Sequence, residues 1–521
     1  MKATQFWRKA LVVLGAVASS ALLLGTAVNA SPYSPNIPFD PNTYGISFVD
    51  SYMTSGGGAS HIVALSTEQI SGMPNEYLCN DSRSGVCDFK VNHASAYTIM
   101  PICSASVATD CVENFAMATG EGGYVPATFL KSLGGTTFAA SPSENLPTGG
   151  TPSLWKSQVT NGGGSNTYEV FVQVHSDFRG GKFIPNDMSA TVVPYTQVSG
   201  AYQPVSDQSL KLPNGRMAVS SGGYVGGCAW TDSGTCGNQE DFAPESKVKV
   251  TIRLDGQLGG WFKGRISEAG ITVTPGGTYN EIAVSGKPVS VANIAVVTPK
   301  ADAPAAVAEY FAQWPGYIGG VSTTRVDYPN AFQALNAFRL AAGDKVQGQT
   351  STWSFGSFGA SGNPCLTDTS KVQGLVTTNA TVYDGKAPQF NNGVLSYSVG
   401  SYHYLPDGKT LNLGTYDLIM RKDTARCLYG FSKAPIAASV SVTSDSGTEN
   451  VANTNFTEDA NWDRFTAHGF TFSNPTISVA LSQDAVASSG TSAKSITCTK
   501  GKLTKKVTGA AAKCPAGWKE K

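Results

Sequence analysis

Hydrophobic positions along most of this chain recur with a period of two. Lys247-Val-Lys-Val-Thr-Ile-Arg-Leu254 puts Val248, Val250, Ile252 and Leu254 on one side and Lys247, Lys249, Thr251 and Arg253 on the other. Tyr168-Glu-Val-Phe-Val-Gln-Val-His175 likewise sets Val170, Val172 and Val174 on one face. Successive strand side chains point to opposite faces, so this alternation predicts antiparallel strands with one dry and one wet face. Asp255-Gly256 follows as a turn pair, and Trp261–Ile266 is the expected hairpin partner of the 247–254 strand. Such runs fill residues 31–298, the expected N-terminal β-rich domain or domains.

The period changes only over 299–351. Thr298-Pro-Lys-Ala-Asp-Ala-Pro304 interrupts the strand pattern, and Ala305–Trp314 and Asn330–Ala342 then read as helices. Asn330 is placed to cap the second and Gly343 to stop it. They are the only helices expected after the leader, and they form a connector packed against a sheet. Strand spacing returns over 352–481, with turn pairs at Asp384-Gly385, Asn392-Gly393 and Asp407-Gly408 and alternating runs at Ser439–Val442 and Thr476–Leu481. About 130 residues of this kind fit an Ig-like sandwich. A Ser/Ala/Gly linker, 482–495, leads to a basic tail, 496–521. The expected fold is therefore mostly β: antiparallel β-sandwich domains, the second Ig-like, with a short helical connector and a small C-terminal tail.

Composition agrees. Charged residues are 14% of the chain, against about 25% in typical globular domains, which suits exposed β-structure better than a helical cytosolic enzyme. Lys2, Arg8 and Lys9 precede an apolar run from Ala10 to Val28, ending in Val28-Asn29-Ala30. This order predicts a signal peptide, 1–30, cleaved after Ala30. No later apolar stretch approaches spanning length, so no transmembrane segment is expected after cleavage. Eight lysines from Lys494 to Lys521 crowd the end of the chain, opposed only by Glu520. With these and the three leading bases set aside, 26 basic residues face 36 acidic ones, a net charge of −10 for 31–493. A body of that sign excludes nucleic acid as a natural partner.

Ten cysteines form five neighbouring pairs. Cys79/Cys87, Cys103/Cys111 and Cys228/Cys236 each read C-x7-C, while Cys365/Cys427 and Cys498/Cys514 are spaced more widely. An even count at such spacing predicts local disulfides in an oxidising compartment. Structural zinc instead asks for ligands two to four residues apart within each half-site. The short pairs are expected near hairpin tips, and Cys365/Cys427 at a core or strand end.

Catalytic signatures are missing from the sequence. His61, His93, His175, His403 and His468 show no His-Glu-x-x-His spacing and read as sheet-face or strand-end residues. Neither a Gly-x-Ser-x-Gly elbow nor a phosphate loop occurs. The carboxylates Glu240, Asp241, Glu245, Glu458, Asp459 and Asp463 are the candidates for acid/base work on a polysaccharide, which needs two carboxyls about 5–9.5 Å apart. Glu458–Asp463 also has a weak likeness to a calcium loop. Trp155, Trp230, Trp261, Trp314, Trp353 and Trp462 are core if buried and sugar platforms if exposed. No cofactor and no metal ligand set is expected.

Three stretches carry a resemblance. Ser495-Ile-Thr-Cys-Thr-Lys-Gly-Lys-Leu-Thr-Lys-Lys-Val-Thr-Gly509 through Lys513-Cys-Pro-Ala-Gly-Trp-Lys519 is similar to a C-terminal segment of many secreted actinobacterial proteins. Gly414–Leu418 and Ala425–Pro435 resemble the β-domain often found just before that segment, and Pro101–Cys103, Asp110-Cys111 and Gly259–Arg265 resemble the N-terminal half of the same proteins. The resemblance implies a secreted or envelope-associated protein and carries over no catalytic residue. The expected function is thus that of a non-enzymatic surface β-protein docking on anionic envelope polymers through Lys500, Lys502, Lys505, Lys506 and Lys513. A glycan-binding or adhesive module and a secreted polysaccharide hydrolase are the alternatives, and the oligomeric state is left open.

Overall fold

The structure, a computed structural model, describes residues 40–50, 58–70, 72–79, 85–89, 92–222, 225–255, 260–313, 321–359, 362–368, 370–431, 436–443, 453–472, 476–483, 494–501, 503–509, 513–514 and 517–521. The expected leader 1–30, Trp314, Lys502 and most of the 482–495 linker lie outside them.

The fold is mostly β, sandwich-like, and built largely from antiparallel strands. Its spine is one 16-stranded sheet. From one edge the main path runs through Asn453–Glu458, Trp462–Thr471, Leu413–Arg421, Gly374–Thr378, Gly260–Arg265 and Gly348–Gly359. It continues through Lys182–Ser199, Thr167–Arg179, His93–Ile99, His61–Ile70 and Met73–Leu78. The sheet therefore crosses the boundary expected at residue 352. Gly348–Gly359 pairs on one side with Lys182–Ser199 and on the other with Gly260–Arg265.

A five-stranded sheet containing Cys111–Thr119, Ser246–Leu254, Ser267–Pro275 and Asn280–Lys287 covers one face of this spine. Val248, Val250, Ile252 and Leu254 point inward as the alternation predicts, against Val170, Val172, Val174, Val192 and Trp353. Each such burial contributes about 1.5–3 kcal/mol relative to exposure. A one-residue slip would turn the whole row to solvent, so the hydrophobic pattern fixes register.

A second core lies toward the C-terminal half. It is shared by the strand Thr43–Val49, helices α1 (Ala305–Ala312) and α2 (Ala331–Phe338), and the sheet of Val394–Gly400, Thr476–Gln483 and Ile436–Thr443. Both connector helices form where they are expected, each ending earlier than the sequence reading placed it. Asn330 precedes α2 but makes no side-chain cap bond.

Three expectations are corrected. Trp261–Ile266 is not the hairpin partner of the 247–254 strand, which pairs instead with Asn280–Lys287 and Cys111–Thr119. All six residues of Gly260–Arg265 are buried, with Trp261 in the C-terminal core and Phe262 in the sandwich core. A strand with no wet face belongs inside a sheet. A Cβ at Gly264 would collide with the Ser354 carbonyl oxygen and come within 3.1 Å of Phe355, which is why this position is glycine. Secondly, a helix α3 (Lys422–Tyr429) interrupts the expected second sandwich. Asp423 opens it, Arg426 closes it and Gly430 stops it at φ 66°. These end signals were present in the sequence, but eight residues are too few for a convincing helical period.

The third correction concerns the bridges. All five neighbouring cysteine pairs are joined, with Cα–Cα distances of 5.0–5.7 Å. Only Cys228–Cys236 staples a hairpin, between Cys228–Asp232 and Thr235–Gln239. Cys103–Cys111 closes the loop by which the chain leaves the main sheet for the five-stranded one. Cys79–Cys87 joins the end of Met73–Leu78 to a short 3-10 turn, Gly85–Cys87. Cys365–Cys427 ties a loop to α3, with Cys365 packed against the C-terminal core and Cys427 exposed, and is not a strand-end bridge. Five disulfides fit an extracellular or secreted protein. No helix among the described residues is long and apolar enough to cross a membrane.

Candidate functional site

Thr167–Arg179 has a second face, and the same alternation that dries the first builds it. Val170, Val172 and Val174 enter the sandwich core, so Glu169, Phe171, Gln173, His175, Asp177 and Arg179 line the other side. Neighbouring strands register on this side to form a lateral row. His61 of His61–Ile70 opposes Tyr97 of His93–Ile99, Tyr97 opposes His175, and His175 opposes Asp187 of Lys182–Ser199. The rings stack across the strands, His61 on Tyr97 at 4.8 Å and Tyr97 on His175 at 4.7 Å between centroids.

Carboxylates surround the row. His61 Nδ1 lies 2.9 Å from Asp207 Oδ2, and Asp207 is almost fully buried, 2% exposed at the side chain. His175 meets Asp187 through Nδ1 at 3.4 Å and Asp177 through Nε2 at 3.6 Å. Only the Nδ1 contact is a hydrogen bond, and Asp177 acts on the ring through its charge. The hydrogen bond and charge of Asp187 raise the His175 pKa above its ordinary value, against the opposing effect of burial. Asp177 also faces His93 Nε2 at 3.6 Å and accepts from Ser95 Oγ at 2.8 Å and Arg179 Nη2 at 2.6 Å. Burial alone would raise its pKa. Hydrogen bonds from Asn186, Arg179 and Ser95 prevail and hold it at about 2. Burial and the charges of Asp177, Asp187 and Glu76 together raise the Tyr97 phenol.

A hairpin closes over one end of the row. Its strands, Ser206–Lys211 and Met217–Gly222, pair only with each other among the described residues. It is tied to the edge strand Met73–Leu78 by side chains: Leu78 N donates to Ser209 Oγ, Met217 N to Asn75 Oδ1 and Val219 N to Glu76 Oε2. Arg216 pairs with Glu76 at 3.1 Å.

Two other acidic places stand out. Glu169, on the same face as the row, is fully buried with neither oxygen hydrogen-bonded among the described residues, and desolvation raises its pKa well above the ordinary value. Its cross-strand neighbours are Leu154 and Val193. Asp110 lines a cleft of about 390 Å³ with Asp255. Burial, with a smaller push from Asp255, raises it to about 6, against hydrogen bonds from Thr109 and the Asp255 amide.

The residues singled out from the sequence behave differently. Trp155, Trp230, Trp261, Trp353 and Trp462 are all buried and belong to the cores. Glu240 accepts from Thr196 and Asn238, Asp241 from Ser351 N, and Glu245 pairs with Lys287. Glu458 pairs with Lys422 and Arg426. Asp459 shapes the turn after it through Asn461 N and Trp462 N, and Asp463 is buried without a hydrogen-bond partner among the described residues. No group of three His, Cys, Asp or Glu able to hold a metal occurs among the described residues, and Glu458–Asp463 forms a strand-to-strand turn instead of a calcium loop. Every histidine faces an aspartate, His403 with Asp344 at 2.7 Å and His468 with Asp417 at 2.5 Å completing the set.

Of the tail lysines, Lys500 and Lys513 are exposed. Lys505 and Lys506 lie in the strand Leu503–Gly509, opposite Cys498 and Thr497. The strands Lys494–Lys500, Leu503–Gly509 and Lys519–Glu520 form a separate three-stranded sheet closed by Cys498–Cys514. What the sequence hid was convergence. The odd-position parity of Glu169, His175 and Asp177 was readable, but the pairing that brings His61 and Asp207 beside them spans well over a hundred residues.

No protein-family model and no curated protein matches the chain.

Proposed function

We propose that the protein is a secreted or envelope-associated, non-enzymatic β-scaffold displayed at the surface and docked on anionic envelope polymers through its C-terminal lysines. The resemblance of its tail to that of secreted actinobacterial proteins points the same way. The observation that carries this reading is the segregation of charge onto a separate fold. Lys494, Lys500, Lys505, Lys506 and Lys519 lie in a small sheet closed by its own disulfide, whose described strands pair only with one another, while residues 31–493 carry a net −10. Each lysine near an anionic surface contributes about 1 kcal/mol at most, so docking needs several together, and a compact knob presents them together.

The glycan alternative loses most of its anchor because Trp155, Trp230, Trp261, Trp353 and Trp462 are core, leaving Trp518 as a partly exposed tryptophan among the described residues. The hydrolase alternative keeps one point in its favour, the raised carboxyl of Asp110 beside Asp255 in a cleft. A chain truncated after Ser489 tests the docking reading. It should leave the envelope fraction for the medium, and the full chain should be released as salt rises from about 0.05 M to about 1 M, where the screening length falls to about 3 Å. Retention of the truncated chain equal to that of the full one overturns the reading.

A further inference from the structure

We propose that the cleft at the open end of the sandwich binds a primary ammonium group carried on a short apolar chain, with Asp110 as its anchor. The cleft, about 390 Å³, is of a size that takes small molecules. It opens where the two sheets part. Asp110 stands just before the strand Cys111–Thr119 and Asp255 just after Ser246–Leu254. Those strands pair antiparallel, with Arg253 opposite Cys111, so both acids come to the same end of the five-stranded sheet. Val174, Ser176 and Pro185 of the main sheet form the facing wall, and Leu146 and Pro147 close one side. Val174 belongs to the sandwich core and Leu146 to the smaller core around Phe138 and Phe183, so these walls are anchored in packed structure.

The lining selects the ligand. Two aspartates face no basic residue among the described groups around the cleft. Asp110, half-buried, accepts from Thr109 Oγ1 at 3.0 Å and from Asp255 N at 3.3 Å. The charge that acts on it from the described residues is the like charge of Asp255. Glu113, on the adjoining strand, has Arg253 at 2.8 Å by contrast. A carboxylate drawn partly out of water without an opposing charge gains most from a cation that arrives from outside. Ser176 is a second, independent mark. It is only 2% exposed, it lines the cleft, and its hydroxyl bonds to no described residue, although a group so buried is ordinarily bonded. A metal ion fits poorly, because no group of three acidic, imidazole or thiol ligands occurs among the described residues and calcium takes about 6–8 oxygens. A primary ammonium has three N–H donors, which Asp110, Asp255 and the Ser176 hydroxyl can receive. Val174, Leu146 and Pro147 then offer its carbon chain an apolar wall.

Ligand-observed NMR titration of the full disulfide-bonded chain with hexylamine at about pH 7.5 tests the site, with hexanol and hexanoate as arms of equal chain length. Hexylamine should saturate a single site, and the other two should bind at least about tenfold more weakly, the loss expected when one partner of a charge pair is missing. Asp110→Asn should weaken hexylamine by at least about the same factor. Asparagine tolerates the φ of 52° at this position, so the change removes charge and leaves the loop its shape. Asp255→Asn, at an exposed acid, should weaken binding less, and it keeps the test open if Asp110→Asn disturbs the fold. Glu245→Gln removes one charge at a side chain 66% exposed and outside the cleft, and should leave binding unchanged. Hexylamine that does not saturate, or hexanol that binds as well, overturns the proposal. So does binding that Asp110→Asn and Asp255→Asn both leave at the parent's strength.

Discussion

Two places in this molecule bring opposite charges together, and they differ in how much water they admit. At the centre of the sheet Arg265 is wholly buried. Its Nε donates to Asp50 Oδ2 at 2.5 Å, its Nη1 to Thr378 O and Ala380 O, and its Nη2 to Thr381 O. Beside it Lys263 meets Asp327 at 2.7 Å, with both side chains only 5% exposed. On the histidine face the bases are imidazoles, 18–47% exposed, set against aspartates that range from 2% to 55% exposed. A guanidinium cannot lose its proton in a protein, so the dry centre is permanent. An imidazole can, so the wet face answers to pH. The dry network joins the end of the Thr43–Val49 strand, the Gly260–Arg265 strand and the 378–381 segment, which come from three distant parts of the chain. The wet one joins a single hairpin to an edge.

The largest effect is expected where the centre is broken. Arg265→Met leaves Asp50 and three carbonyls without the guanidinium in a dry site and should cost about 3–5 kcal/mol in urea unfolding. Asp50→Leu added to Arg265→Met should recover part of that loss, because the uncompensated charge goes with it. If the double variant is no better than the single one, the arginine acts through packing and carbonyl bonds, and charge pairing is not what separates the centre from the face.

Glu169 gives a smaller effect of opposite sign. It stands on the same side of the sheet as the histidines, yet it is closed to bulk solvent and neither oxygen is hydrogen-bonded among the described residues. Its folded pKa is raised, so its favourable contribution is complete only below the unfolded pKa near 4.5 and is lost as pH rises toward the folded value. Glu169→Met should therefore stabilise the protein more at pH 7.5 than at pH 4, the gain growing by about 1.4 kcal/mol for each pH unit from the unfolded pKa up to the lower of 7.5 and the folded pKa. Equal stabilisation at both pH values would show that the carboxyl is not being held protonated.

How far the sequence disclosed these places follows from the range of the contacts. Val248, Val250, Ile252 and Leu254 declared their face because alternation is local. Asn392-Gly393 declared its hairpin because both residues take positive φ, 50° and 78°, between Gln389–Asn391 and Val394–Gly400. Asp384-Gly385 gives no hairpin: the short strands on either side of it, Val382–Tyr383 and Gln389–Asn391, each pair with Val394–Gly400 and not with each other. Trp261-Phe-Lys-Gly-Arg265 misled because it follows a turn pair and so reads as a hairpin partner, although the strand is buried on both faces, Lys263 and Arg265 included. The histidines gave no spacing signal because their partners lie on other strands: Asp207 is far from His61 in the chain, and Asp417 is far from His468. Periodicity reports which way a side chain points, and only sheet order reports what it meets.

His468 lies between the two extremes and gives the smallest and most discriminating change. Its Nε2 is 2.5 Å from Asp417 Oδ1 on the neighbouring strand, and Asp417 Oδ2 accepts from Ala269 N at 3.2 Å. Asp417 is 3% exposed and His468 31%, so the acid is as dry as those at the centre while the base is as wet as those on the face. The hydrogen bond to Asp417 raises the His468 pKa over the opposing effect of burial, which puts its stabilisation below about pH 6.5 and removes it as pH rises through the folded value. His468→Gln should cost about 1 kcal/mol at pH 5.5 and clearly less at pH 8.5, read from urea midpoints at constant slope. A loss that is the same at both would mean that the dry aspartate needs only a hydrogen-bond donor, charged or not. Exposure of the base would then no longer decide which of the ion pairs respond to pH.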